Sequence, residues 1–217
     1  MFASIRTVGI LDTVTSFQRN DFPMMLVRHG ETDWNASRLV QGHHDAARLT
    51  ARGREQAKLV ADSMRELGFG HLFTSDLDRA TETASIIGAA IGLTPEIDPL
   101  LRERSFGSFE GGSIERLTSD VTGIANDVLV DPDARPPRGE SFRDVVVRAG
   151  LFIERESRKL SSQRTLVVTH GGTIRALLAY GTGAPLEGLT LYPVGNCSVW
   201  TLDTDFMHED DVASPLG

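Results

Sequence analysis

Cysteine is nearly absent: Cys197 is the single one in 217 residues. No intramolecular disulfide can form, which suits a reducing cytoplasm. No run of about 18 apolar residues occurs, so a membrane span is not expected. Residues 1–22 hold no long apolar core and no clear cleavage site, so a secretory leader is not expected either. An excess of positive charge is missing too. Lys and Arg number 22 against 30 Asp and Glu, a formal net charge of −8, whereas general nucleic-acid binding needs a basic face. That balance does not exclude a small basic pocket. No internal repeat is visible. The composition, 40% apolar and 24% charged, fits one globular domain with a full core.

What is present is an alternation of short apolar runs and helical stripes. Met24 to Val27 reads as a buried strand ending in Arg28-His29-Gly30. A helix is expected from the N-cap Thr50, with Ala57, Val60, Ala61, Met64 and Leu67 on its buried face and Gly68 at its end. Residues 70–74 form a second strand, and Ser75 to Arg79 leads into a helix with Leu77, Ala80, Ala84, Ile87 and Ile91 inward. A short strand and loop follow over 93–105. Segment 107–140, rich in Gly, Pro and Asp, reads as a lid-like region with one helical piece around 113–130. A long helix runs from Ser141 to about Leu160. Leu166-Val167-Val168 is a third clear strand, ending in Thr169-His170-Gly171-Gly172 before a helix at 173–178. Cys197 to Leu202 alternates like a last strand. The expected fold is α/β: a three-layer sandwich with a mostly parallel sheet between helices. The expected organisation is an extension at 1–23, either an extra strand or a loose segment, one domain over 24–202, and an acidic tail at 203–217.

Two of these strands end in His-Gly. In a parallel sheet both imidazoles then project from the carboxyl edge, where ligands bind in open α/β folds. Arg28 stands beside His29, Arg79 opens a helix at the same edge, and Glu103 follows the third extended segment. The helix after Gly171 offers backbone N–H groups and the positive end of its dipole. Arginine forks match phosphate oxygens. The expected ligand is therefore a phosphoryl group. Each residue alone has a plainer reading: His170 as a core histidine, Glu103 as part of the charge run Arg102–Arg104, Arg79 as a surface partner of Asp76 or Glu82. Their joint placement favours a site. His43-His44-Asp45 hints at a metal, but adjacent loop residues rarely chelate one ion and no further ligand is evident, so none is expected. Cys197 reads as a small buried hydrophobe.

At this point the chain resembles the histidine phosphatase superfamily, in the branch of cofactor-dependent phosphoglycerate mutase and small-molecule phosphatases. The residues that carry the resemblance are Arg28-His29-Gly30-Glu31-Thr32 with Asn35, Leu49-Thr50-Ala51-Arg52-Gly53 and Ser75 to Ala84. Further along are Glu103 to Gly111, Gly139-Glu140-Ser141, Val168 to Gly172 and Asn196 to Val199. It implies that His29 is a nucleophile forming a phosphohistidine, with Arg28, Arg79 and His170 binding the phosphoryl oxygens. It implies that Asn35 and the backbone at Gly171 complete the cradle. Glu103 would protonate the leaving alkoxide, then take a proton from attacking water. No metal and no cofactor is called for, and the partner is a small phosphorylated substrate, with no nucleic acid and no membrane. A homodimer is compatible with the chain.

Two departures from the family pattern bear on function. Arg48 stands where the family has proline, in a loop with one residue inserted, and is expected to make the loop flexible and carry charge to the substrate. Residues 112–138 lack the aromatic, basic insertion of the mutases, which favours a phosphatase. Candidate specificity residues are Arg38, Gln41, Gly42, His43, Arg48 and Arg104. The leading expectation is a cytoplasmic, metal-independent phosphomonoesterase. A phosphoglycerate mutase is the alternative, and a non-catalytic phospho-ligand-binding protein a weaker one.

Overall fold

The computed structural model describes residues 6–7, 23–119 and 124–203. Its sheet holds strands β1 (Arg6–Thr7), β2 (Met24–Arg28), β3 (His71–Thr74), β4 (Glu96–Ile97), β5 (Thr165–Thr169) and β6 (Val199–Leu202), in the order β1-β6-β2-β5-β3-β4. Strands β2, β5, β3 and β4 run parallel, and β6 lies antiparallel between β1 and β2. Part of the extension thus adds a strand of two residues. The rest of 1–22, and the tail beyond Asp203, lie outside the described residues.

Seven α-helices are described: α1 (Asp33–Ala36), α2 (Ala51–Met64), α3 (Asp78–Ile91), α4 (Ile114–Ser119), α5 (Ile124–Val130), α6 (Phe142–Leu160) and α7 (Gly171–Thr182). The period of two along each strand divides the core. Met24, Leu26, Phe73, Val167 and Trp200 face one way, onto Phe142, Phe152, Ile174 and Leu177 of α6 and α7. Met25, Val27, Leu72, Val168 and Val199 face the other way, onto Val60 and Met64 of α2 and Ile87 of α3. Helices on both faces of a mostly parallel sheet make the expected α/β sandwich.

Caps set the helix starts. Thr50 Oγ1 accepts the Gly53 N–H at 2.9 Å. Ser141 and Asp144 cap α6 reciprocally, each side chain accepting the other's backbone N–H, at 3.1 and 2.8 Å. Some boundaries differ from the sequence reading. Helix α2 stops at Met64, before Gly68, and α7 extends beyond 173–178 at both ends. The helical piece expected at 113–130 is two helices, α4 and α5. Leu117 packs with Val40, Phe106, Phe109 and Leu129 in a separate apolar cluster. Cys197 precedes β6 rather than lying on it; it is buried at φ 54°, and burial pushes its thiol pKa up to about 12. Among the described residues, no helix is long and apolar enough to cross a membrane.

Candidate active site

Strands β2 and β5 are adjacent, with Arg28 level with Thr169. One step further, the His29 N–H donates to the Thr169 carbonyl at 2.9 Å. The two rings that follow are therefore neighbours. Their centroids lie 5.2 Å apart with the planes inclined by 59°. Both are buried, at 2% and 0% exposure.

His29 Nδ1 lies 2.8 Å from the Gly30 carbonyl. A carbonyl only accepts, so Nδ1 carries the proton and the Nε2 lone pair is left for a ligand. Burial first, then the charges of Arg28 and Arg79, hold the His29 pKa well below 6.5. Burial, Arg79 and His29 do the same for His170. The turn at Gly30 is pinned from two sides. Its N–H donates to Thr83 Oγ1 at 3.1 Å, and it approaches Gly53 of α2 so closely that a Cβ on Gly30 would sit 2.5 Å from the Gly53 carbonyl oxygen.

The guanidinium groups are held by main-chain carbonyls. Arg28 Nη1 donates to Val194 O at 2.6 Å, and Arg79 Nη2 to Gly42 O at 2.7 Å. Arg79 is 1% exposed, and burial lowers its pKa to about 10. Arg28 is likewise lowered, mainly by burial. Arg28 Nε, Arg79 Nε and both nitrogens of His170 have no hydrogen-bond partner among the described residues. Buried polar atoms are ordinarily partnered, so these nitrogens near His29 remain able to bind a ligand.

Glu103 closes one side. Its Oε1 accepts the Arg104 N–H at 2.8 Å and its Oε2 the Gly172 N–H at 3.1 Å. Its own carbonyl is held by Arg148 Nη2 at 2.9 Å and His43 Nε2 at 2.7 Å. Asn35 Oδ1 accepts from Thr32 N and from Asn196 Nδ2, each at 3.1 Å, and Asn196 Nδ2 also reaches the His29 carbonyl at 3.1 Å. Arg28, His29, Asn35, Arg79 and Glu103 border one cavity of about 640 Å³, together with Gln41, Gly42 and Gly171, whereas His170, fully buried against His29, is not on its lining.

Three expected specificity residues are placed otherwise. Arg38 lies outside the cavity, exposed and paired with Glu115 at 2.6 Å. Arg48 also lies outside it, paired with Asp78 at 3.1 Å and donating to Asp45 O at 2.5 Å. Its loop is tied down rather than loose, since the Arg48 N–H donates to Asp33 Oδ1 at 3.0 Å and its carbonyl accepts Asp33 N. Arg104 borders the cavity, but its Nε, Nη1 and Nη2 each donate to a carbonyl, of Glu140, Val128 and Ala134. It fastens the lid-like segment. His43 supports Glu103 from behind and does not line the cavity, while His44 stacks on Trp34 at 4.8 Å.

Arg175 was not anticipated. Four residues after Gly171 on α7, it returns to the same helix face, a spacing that could have flagged it. Its Nε donates to Gly171 O at 3.1 Å and its Nη1 to Thr190 O. It thereby brings the wall at 190–194 to the cavity. Glu103 acts on the charges of Arg28, Arg79, Arg104 and Arg175 and is the one carboxylate on the lining.

The sequence matches the histidine phosphatase superfamily (branch 1) over residues 24–209. This chain belongs to that superfamily. It is 37% identical over 179 residues to a protein named "Probable phosphoglycerate mutase GpmB" from Enterobacter sp. (strain 638), covering 82% of this chain and 83% of that one. Its fold is similar to that of a mycobacterial glucosyl-3-phosphoglycerate phosphatase solved with VO3. That match has TM-score 0.74 and 29% identity, covering 82% and 88% of the two chains. A phosphoserine phosphatase from Entamoeba histolytica, solved with 3-phosphoglyceric acid, matches at TM-score 0.72 and 25% identity over 82% and 89%. Membership supports a phosphatase-type enzyme.

Proposed function

We propose that the protein hydrolyses a small phosphorylated metabolite through a phosphohistidine on His29. The observation that carries this reading is the neutral His29 ring, with Nδ1 committed to Gly30, set beside unpartnered nitrogens of Arg28, Arg79 and His170. Nε2 attacks phosphorus, and the P–O bond to the leaving group breaks. Arg28, Arg79 and His170 hold the equatorial oxygens, with Asn35 and the Gly171 backbone completing the cradle. Glu103 gives its proton to the departing alkoxide. Water then attacks the phosphohistidine, Glu103 takes the water's proton, and phosphate leaves. The positive charge in this scheme comes from guanidinium groups, and no step calls for a metal.

A mutase is the second reading, favoured by the name of the 37%-identical relative. The phosphatase reading is preferred because the structural relatives named above are phosphatases, and because residues 112–138 hold neither Tyr nor Trp. The test is turnover of phosphomonoesters by the purified protein, with mass spectrometry of the intact enzyme under alkaline quench. Turnover indifferent to chelator, a phosphate adduct on His29, and loss of both in His29→Ala are expected. Full activity of His29→Ala overturns the mechanism. Conversion of 3-phosphoglycerate to the 2-isomer in the presence of bisphosphoglycerate, faster than hydrolysis, would favour the mutase.

A further inference from the structure

Beside the polar groups around His29, the cavity has a large apolar lining. It includes Leu39, Val40, Phe106, Leu117 and Leu129, of which the last four share one apolar cluster. Leu191 and Tyr192 line it too. Seven large apolar side chains are exposed among the described residues, and three of them, Ile114, Leu191 and Tyr192, line this one cavity. Apolar surface gathered at a single mouth marks a binding surface rather than scatter. Two further arginines turn donors to the chain itself: Arg104 to three carbonyls, Arg175 Nε and Nη1 to Gly171, Thr190 and Tyr192. Two buried polar side chains interrupt the apolar lining: Gln41, 8% exposed, and Thr190, 7% exposed, both line the cavity, and Gln41 Oε1 and Thr190 Oγ1 have no partner among the described residues. A buried acceptor without a donor is costly, and a ligand O–H or N–H would satisfy it.

From this we infer the substrate class, on the footing that the cavity is a phosphomonoesterase site. The substrate is the monophosphate of an apolar, aryl- or alkyl-bodied alcohol carrying one hydrogen-bond donor that Gln41 reads. A phosphoglycerate fits it less well, because its carboxylate would meet Leu and Phe side chains, and Arg104 and Arg175 spend donors on the chain's own carbonyls.

The experiment compares kcat/KM for benzyl phosphate, 3-hydroxybenzyl phosphate and 3-phosphoglycerate, all esters of aliphatic alcohols. Benzyl phosphate should exceed 3-phosphoglycerate by at least ~10-fold, and 3-hydroxybenzyl phosphate should exceed benzyl phosphate. Leu191→Lys, at an exposed position, should lower kcat/KM for benzyl phosphate through KM and raise it for 3-phosphoglycerate. Gln41→Leu should erase the ratio between the two benzyl esters. Equal or better turnover of 3-phosphoglycerate, or a Leu191→Lys enzyme unchanged on both esters, overturns the inference and leaves the phosphatase intact. Should no ester turn over, the phosphatase reading fails, and calorimetry with benzylphosphonate decides the pocket. Tighter binding than 3-phosphoglycerate upholds it, and equal or weaker binding overturns it.

Discussion

Glu103 and Gly172, 69 positions apart in sequence, share a hydrogen bond of 3.1 Å from the Gly172 N–H to Glu103 Oε2. The absence of a side chain at 172 makes room for this carboxyl: a Cβ there would overlap Glu103 Oε1. The overlapped atom ends a flexible side chain, so Gly172→Ala should fold and displace the proton donor. We expect kcat for alkyl phosphates to fall by about 10²–10⁴-fold. p-Nitrophenyl phosphate, whose leaving group departs without a proton, should lose far less, and Glu103→Gln should show the same split. Equal losses on both esters would remove Glu103 from the acid role.

Stability should depend on pH through His29 and His170. Both folded-state pKa values lie well below 6.5, chiefly from burial. Below pH 6.5 the unfolded chain therefore binds protons that the folded chain does not. Their contribution is complete above pH 6.5 and is lost as pH falls from there toward the folded-state values. The slope approaches about 1.4 kcal/mol per pH unit for each ring. Urea midpoints between pH 7.5 and 5 measure it, and His29→Asn should remove about one proton's worth. An unchanged slope in that variant would mean the ring is not held neutral.

Arg79 reaches the cavity with an unpartnered Nε while its other nitrogens hold Gly42 and His44. Inorganic phosphate should raise the melting temperature of the wild-type protein by binding the folded state. Arg79→Met should abolish most of that shift and reduce kcat/KM by about 10²–10³-fold, the usual cost of one lost charge-stabilising donor. A full phosphate shift in the variant would place the anion elsewhere.

Gly53 sits in the first turn of α2, and a Cβ there would lie 2.8 Å from the Glu31 nitrogen. Alanine favours helix by about 1 kcal/mol over glycine. Here the overlap is with backbone, which cannot swing aside. Gly53→Ala should therefore destabilise the protein by about 1–3 kcal/mol net, read from urea unfolding at neutral pH. A stabilised variant would show that the loop after His29 yields easily.

Residue order alone brought two histidines to one edge of the sheet. Apolar runs ending in Arg28-His29-Gly30 and Thr169-His170-Gly171 name two strand ends. The intervening helical stripes make those strands parallel, so both histidines emerge on one edge. The cap at Thr50 was legible because it depends on a neighbour three residues away. The reach of long side chains was not legible. Arg38, Arg48 and Arg104 carry the same charge as Arg28 and Arg79, yet Glu115, Asp78 and three carbonyls hold them, and those partners lie 24 to 77 positions away. Only the folded chain decides which guanidinium keeps a donor for a ligand, because that is set by which carbonyls come within hydrogen-bond distance. The apolar lining is likewise a tertiary product, since Val40, Phe106, Leu117 and Leu129 meet only once the chain has folded.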